Sequence, residues 1–372
     1  MLLSKEFSND SRVNKETKAL VDSGHEITVV MWDRHGKNLI EEISNKVKVI
    51  RIRNNLLMKV LSNDLIRNPF WWMAAYKKGL ELFKTKKFCF DVVHCHDLDT
   101  LPAGVLLKKK LNVKLVYDAH EIFGYMVLRD QTKLVSNFAF LLEKKLLRFI
   151  DHLIIAETNY LPYFKKVYYG NISSILNCEN LLTDEYHSPK NDVFTLVYIG
   201  VLNKSRFFPN LIHVIGGIKG VKLVIAGKKE NMFEEVQNLS KQFSNIQFLG
   251  QIPYSEVLHW TLSGDVVLCM INPVDINNKI ATANKQFEAM VCGRPIICTN
   301  GTRSGDVTRQ ENCGLVIDYK DEALEEAVKK LRDSPDLCES LGRNALKAAL
   351  NTYNWKNEEE KLQSLYNNIL KV

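Results

Sequence analysis

Short apolar runs rich in β-branched residues recur along the chain, each separated from the next by a stretch with helical spacing. In the first half they fall at 27–31, 47–52, 91–94, 114–117 and 152–156; in the second, at 194–199, 221–226, 246–249, 266–270, 295–298 and 315–317. Most are continuous rather than alternating, the pattern of parallel strands buried on both faces. Strand and helix alternating in this way predicts doubly wound α/β domains. Met1, Leu2 and Leu3 make only a stub of a first strand, because 4–9 already reads as a loop; either that strand is brief or a few residues precede it. No short-period repeat is present.

The chain has 372 residues, too many for one ordinary core and suited to two. The break falls at 177–192, where a polar stretch carrying Pro189 precedes a fresh strand. We therefore expect domains over 1–180 and 181–354. The tail carries Trp355, Leu362, Leu365, Tyr366, Ile369 and Leu370 at helical spacing, so a helix over 355–372 is expected to pack back on the first domain. Ligands of such domains bind at the carboxyl ends of the strands. No run of about 18 apolar residues occurs, the N-terminus lacks the apolar core of a secretory leader, and the eight cysteines show no C-x-x-C pair. Reduced thiols in the cytoplasm are the expectation.

The chemistry concentrates in 284–297. Asn284 reads as an N-cap, so the following helix would present its free N–H groups and positive dipole end to a diphosphate. Glu288 lies one turn in, where a carboxylate can accept hydrogen bonds from a ribose diol. Gly293 ends the helix and Pro295 opens a buried strand. An ordinary capped helix with an exposed glutamate fits the same residues equally well. His94 and His96 share one strand face, but no second ligand cluster at zinc-like spacing follows, so no metal is expected. No G-x-G-x-x-G follows a strand, so the dinucleotide fingerprint is missing.

Segment 284–297, Asn-Lys-Gln-Phe-Glu-Ala-Met-Val-Cys-Gly-Arg-Pro-Ile-Ile, resembles the donor-binding helix of glycosyltransferase family 4 in its N-K-x-F-E variant. Segment 91–104, from Asp91-Val92-Val93-His94 through Asp97, Asp99 and Gly104, resembles that family's D-V-V-H-x-H-D-x-D stretch, and Asp118-Ala119-His120-Glu121 its D-A-H-E signature. Weaker matches are 22–29 and Gly200-Val201-Leu202 with Arg206. The resemblance implies the GT-B fold, two doubly wound Rossmann-like domains facing across a cleft, and a retaining, metal-independent sugar transfer with no cofactor beyond a nucleotide-sugar co-substrate. By position, Glu288 would hold the donor ribose and Arg206 the diphosphate, with Gly200, Asn284 and Lys285 around the phosphates. His120 would touch the donor sugar, and Asp97, Asp99 and Glu121 would lie on the acceptor side. Two positions depart from the family pattern: Ile280 stands where a glutamate often precedes the ribose-binding one, and Val201 where an arginine often follows the glycine. They motivate an alternative, a catalytically weak nucleotide-sugar-binding relative or partner subunit; a GT-B nucleotide-sugar epimerase is a further alternative.

Charge is uneven. Residues 1–180 hold 28 Lys and Arg against 20 Asp and Glu, whereas the remainder is near neutral with 22 against 23. Within the basic half, 56–90 combines Leu56, Leu57, Met58, Lys59, Val60 and Leu61 with Trp71 and Trp72 and with Lys77, Lys78, Lys84, Lys86 and Lys87. This profile fits a peripheral contact with an anionic membrane, and a lipid-linked or glycan acceptor there; it fits equally a helix whose tryptophans are core. No DNA- or RNA-binding motif accompanies the charge, so nucleic acid is not expected.

Overall fold

The computed structural model describes every residue except 35, 37–38, 45, 55–57, 59–63, 86–88, 230 and 372. The chain divides into one unit of Met1–Leu176 with Glu358–Val372 and a second of Asn177–Asn357.

The first unit is built on an eight-stranded sheet. Its strands are β1 (Leu2–Leu3), β2 (Thr28–Asp33), β3 (Glu41–Ser44), β4 (Val47–Arg53), β5 (Val92–His96), β6 (Lys114–Ala119), β7 (His152–Ile155) and β8 (Asn171–Ser174). They lie in the order β3-β4-β2-β1-β5-β6-β7-β8. All neighbours are parallel except β3, which runs antiparallel to β4. The order reverses between β1 and β5, the position at which doubly wound sheets open a crevice at the strands' carboxyl ends. Although β1 has two residues, it pairs on both sides, with β2 and β5. The pairing of His96 with Asp118 across β5 and β6 sets two polar groups side by side at that end.

The second unit carries β9 (Phe194–Ile199), β10 (Val221–Ala226), β11 (Ile246–Gly250), β12 (Val266–Cys269), β13 (Ile296–Thr299) and β14 (Gly314–Ile317), all parallel, in the order β11-β10-β9-β12-β13-β14. Here the reversal lies between β9 and β12. Every residue of β12 and β13 is buried, as continuous apolar runs require when helices cover both faces.

Two strands go beyond the sequence expectation. β3 and β8 are edge strands with the polar sequences EEIS and NISS, and an edge strand needs no apolar run because one side meets water.

The interfacial reading of 56–90 is corrected at its aromatic centre. Trp71 lies in the helix Asp64–Lys84, is 0% exposed and stacks on Trp32 of β2 with ring centroids 5.7 Å apart. Trp72 is half-buried, and its indole N–H donates to the Asp99 carbonyl at 2.7 Å. Both indoles are thus engaged within the first unit, which leaves no tryptophan pair for a membrane. Leu56, Leu57, Lys59, Val60, Leu61, Lys86 and Lys87 lie outside the described residues.

The last helix, Trp355–Leu370, belongs to the first unit from Glu358 onward. There the Glu358 carboxylate accepts from the Leu176 N–H at 2.9 Å, Gln363 donates to the Ala19 carbonyl, and Leu362, Leu365, Tyr366 and Ile369 are buried.

Candidate functional site

In the first unit the polar groups gather at the carboxyl ends of β5 and β6. Asp118 is the last residue but one of β6, and Arg12 reaches it from the helix Ser11–Asp22, which Asp10 caps by accepting from the Val13 N–H. The Arg12 guanidinium forks onto both carboxylate oxygens, at 2.9 Å from Nε and 2.8 Å from Nη2, and its Nη1 donates to the Ile175 carbonyl at 2.8 Å. One turn along, Glu16 Oε1 lies 3.0 Å from Arg12 Nε. Both side chains are fully buried, so the planar fork is fixed in place.

Asp118 Oδ2 also meets His96 Nδ1 at 3.3 Å and His120 Nε2 at 3.1 Å. On its other side His120 faces Asp97: its backbone N–H donates to Oδ1 at 3.2 Å, and its Nδ1 lies 3.6 Å from Oδ2. Asp97 takes a left-handed backbone, φ +62°, which turns the chain sharply off β5 and aims the carboxylate back at His120. Lys5 approaches the same carboxylate at 3.5 Å. Behind His96, His94 stacks at 4.3 Å between centroids, with Nδ1 2.8 Å from the Tyr366 hydroxyl of the last helix.

These contacts sort the protons. Burial alone would lower the His120 pKa, but Asp97 and Asp118 outweigh it and hold it up at about 9, so the ring is a cation at neutral pH. Burial pushes Glu16 up to about 8, with the Asp118 carboxylate adding to it against the pull of Arg12. Glu16 is therefore a neutral acid facing Asp118. Asp118 stays ionised despite its burial, held low chiefly by Arg12 and then His120. Burial lowers both His94 and His96. Glu16, His94, His96 and Asp118 are of metal-ligating type, and their ligand atoms lie within 4.8 Å of one another. Here the permanent charge of Arg12 already takes both Asp118 oxygens, so the cluster is organised around a guanidinium.

The remaining first-unit candidates sit nearby. Asp99 is pushed up to about 6 by burial and by Asp97, and bonds Ser4. Glu121 is half-buried, and its charge is felt at Lys5 and Tyr160. Arg12, Glu16, Asp118 and Tyr366 were absent from the sequence-derived candidates. The available signal was a pair of opposite charges at i and i+4 lying among positions that a helix buries, Val13, Thr17, Ala19 and Leu20.

In the second unit the candidates collect at the end of β9. Gly200 follows that strand with φ +148°, and a Cβ there would stand 3.2 Å from Lys285 Nζ. The bare glycine thus leaves room for the ammonium, which lies 3.5 Å over the ring centroid of Tyr198. Arg206 ends the short turn Lys204–Arg206, and Nη1 donates to Asn278 at 3.4 Å. Tyr319 clips that turn, its hydroxyl accepting from the Phe207 N–H and donating to the Lys204 carbonyl, each at 2.9 Å. Burial lowers Lys285 to about 8, and the like charge of Arg206 adds to this against an upward pull from Cys269. Two cations that disfavour each other, beside a glycine at the sheet's switch point, form a site whose electrostatics call for an anion.

The helix over this site is Asn284–Val291, and one reading of it needs correction. The N-cap is Ala283, without a side-chain cap, and Asn284 is the first helical residue, exposed. The Ala283 N–H instead donates to Ser304 Oγ at 3.1 Å, so the chain is pinned one residue earlier than an Asn cap would place it. Glu288 follows Lys285 by one turn and is buried, not exposed. Gly293, with φ +60°, ends the helix.

Comparison with known proteins covers both units. The family described as Glycosyltransferase Family 4 matches residues 12–160, and that described as Glycosyl transferases group 1 matches residues 183–348. The capsular polysaccharide biosynthesis glycosyltransferase CapM of Staphylococcus aureus is 28% identical over 203 residues, 52% of this chain; the match spans half the length of that relative, 50%. The putative glycosyltransferase YtcC of Bacillus subtilis is 24% identical over 76% of this chain and 73% of its own. Among solved structures, sucrose-phosphate synthase from Thermosynechococcus elongatus matches with TM-score 0.81 at 16% identity, covering 100% of this chain and 98% of that one. HepE of Anabaena, in complex with UDP-glucose, matches with TM-score 0.72 at 14% identity over 99% of both chains. With both sheets, both family matches and the structural likeness agreeing, the chain belongs to glycosyltransferase family 4 and has the GT-B fold.

Proposed function

We propose that this glycosyltransferase takes a sugar from a nucleotide diphosphate donor, UDP- or GDP-linked, and moves it with retention of configuration to a lipid-linked or polysaccharide acceptor in glycan synthesis on the cytoplasmic side of the membrane. The observation that carries the reading is the Arg206–Lys285 pair at Gly200. A diphosphate entering there would relieve the repulsion between the two cations, and its charge would grow as the sugar–phosphate bond breaks. Fixed cations aimed at that developing charge stabilise the transition state without a metal. The UDP-glucose complex of HepE, on the same fold, supports a nucleotide-sugar donor.

The other roles follow from chemistry. Glu288, buried one turn beyond Lys285, is suited to accept from a ribose diol. His120, a cation, gives its Nε2 proton to Asp118, and its Nδ1 proton, 3.6 Å from Asp97 Oδ2, is the one suited to a donor-sugar hydroxyl. Asp97, Asp99 and Glu121 then offer acceptors toward the incoming hydroxyl. In the transfer the anomeric carbon–phosphate oxygen bond breaks and an acceptor oxygen–carbon bond forms on the same face; the acceptor proton passes to the leaving phosphate. The test is a thermal-shift panel of UDP, GDP, ADP and their sugars with the full chain. A ligand at 100 times its Kd should stabilise the protein by about 2.7 kcal/mol. A panel with no stabilising member would contradict a nucleotide donor. Release of free sugar, or its transfer, separates this reading from a merely binding relative, and an epimerised sugar would indicate an epimerase.

A further inference from the structure

The helix Lys133–Leu146 in the first unit is amphipathic in an unusual sense, because its outward face is also apolar. Ser136, Ala139 and Glu143 face inward; the Ser136 hydroxyl is bonded to the Gly124 carbonyl, and Glu143 is bonded by the Tyr117 and Tyr163 hydroxyls. Outward, Leu134 is 80% exposed, Phe138 60% and Leu141 53%. Positions i, i+4 and i+7 align on one ridge of a helix, so these three form a continuous apolar strip. Around the strip Lys133, Lys144, Lys145 and Arg148 are exposed, and the helix's one acidic residue, Glu143, is buried. None of the four cations makes an ion pair among the described residues.

We infer that this face is a membrane-docking surface that lies flat on an anionic lipid headgroup layer, with Leu134, Phe138 and Leu141 entering it and the four cations meeting phosphates. An apolar ridge edged only by positive charge is the composition of an interfacial helix. It suits a second copy of this chain poorly, since self-association would set one basic rim against another. The inference deepens the acceptor reading above, because a lipid-linked acceptor would be presented at the surface where this helix lies; vesicle binding itself requires neither donor nor acceptor.

The test uses the full chain with vesicles of phosphatidylcholine alone and of phosphatidylcholine containing phosphatidylglycerol, read by co-sedimentation. Binding is expected to the anionic vesicles only and to be released by salt, because the Debye length shrinks to about 3 Å at 1 M. Leu134→Ser with Phe138→Ser and Leu141→Ser should lower the partition coefficient by about tenfold or more, as should replacing Lys133, Lys144, Lys145 and Arg148 with Gln. Circular dichroism and UDP affinity, measured on the same samples, should match the parent, which separates failure of this surface from failure of the donor reading. Absent binding by the parent, equal binding to neutral vesicles, binding retained in either variant, or a dimer abolished by the serine substitutions would each overturn the proposal.

Discussion

Replacing Arg12 with Met keeps the length and apolar stem of the side chain but removes the charge that holds Asp118. The hydrogen bonds donated to both Asp118 oxygens and to the Ile175 carbonyl disappear, all in a buried setting. Removing one partner of a buried ion pair costs about 3–5 kcal/mol, because the other charge is left uncompensated. That is a large part of the roughly 5–15 kcal/mol that stabilises a typical domain. His96 and His120 recover only part of it, since burial lowers His96 and Asp97 competes for His120. Two units make a single melting curve ambiguous, so the assay is hydrogen exchange resolved by peptide over β5 and β6. Exchange there should speed up by roughly 10²–10⁴-fold, with peptides of β12 and β13 unchanged. Adding Asp118→Asn removes the stranded charge, so the double variant should be more stable than Arg12→Met alone by about 1–3 kcal/mol. A single-variant cost under about 1 kcal/mol, or purely additive losses, would refute a cluster organised by this guanidinium.

Glu16→Gln should be near-neutral at pH 4 and more stable than the parent at pH 9, with the gain already under way at pH 6. A folded pKa of about 8 against the ordinary 4.5 means that the stability tied to the protonated acid is full below 4.5 and lost as pH rises through 8; His120 acts in the same direction, full below 6.5 and lost through about 9. Hydrogen exchange over the first unit, the variant against the parent at the same pH, checks this, and a variant destabilised at pH 4 as much as at pH 9 would show Glu16 to be an ionised partner of Arg12. Trp71→Ala should destabilise the first unit by about 3–5 kcal/mol, measured by the same exchange assay, whereas a stable, folded variant would return this ring to the surface. Nucleoside diphosphate binding should take up protons near pH 8 and weaken above it, because an anion raises the lowered pKa of Lys285. Calorimetry in buffers of different ionisation enthalpy reads the uptake, which Lys285→Met should abolish.

The architecture was legible where burial dictates composition. Strands covered on both faces must be continuous apolar runs, so β9, β10, β12 and β13 stand out, while β3 and β8 hide because an edge tolerates EEIS and NISS. The D-A-H-E and N-K-x-F-E segments were visible as local patterns, yet their partners were not. Arg12 and Asp118 are 106 residues apart in sequence, and only the order of β1, β5 and β6 brings them together. Asn284 looked like a cap because its residue type favours that role, but the loop is pinned at Ala283 by Ser304, a contact no local pattern encodes. Trp71 failed as an interfacial residue for the same reason: its fate is set by Trp32, on a strand far away in sequence.

The account rests on a nucleoside diphosphate binding at Gly200, Arg206, Lys285 and Glu288. Titration calorimetry of the best nucleotide with the parent chain and with Arg206→Ala and Glu288→Ala tests that directly. Each loss of a charged hydrogen-bonding partner should weaken binding by about 1.5–3 kcal/mol, roughly 10–150-fold, with the fold intact. His120→Ala, in the other unit, should instead depress turnover more than nucleotide affinity. Unchanged nucleotide affinity in both Arg206→Ala and Glu288→Ala would contradict the assignment of the donor site.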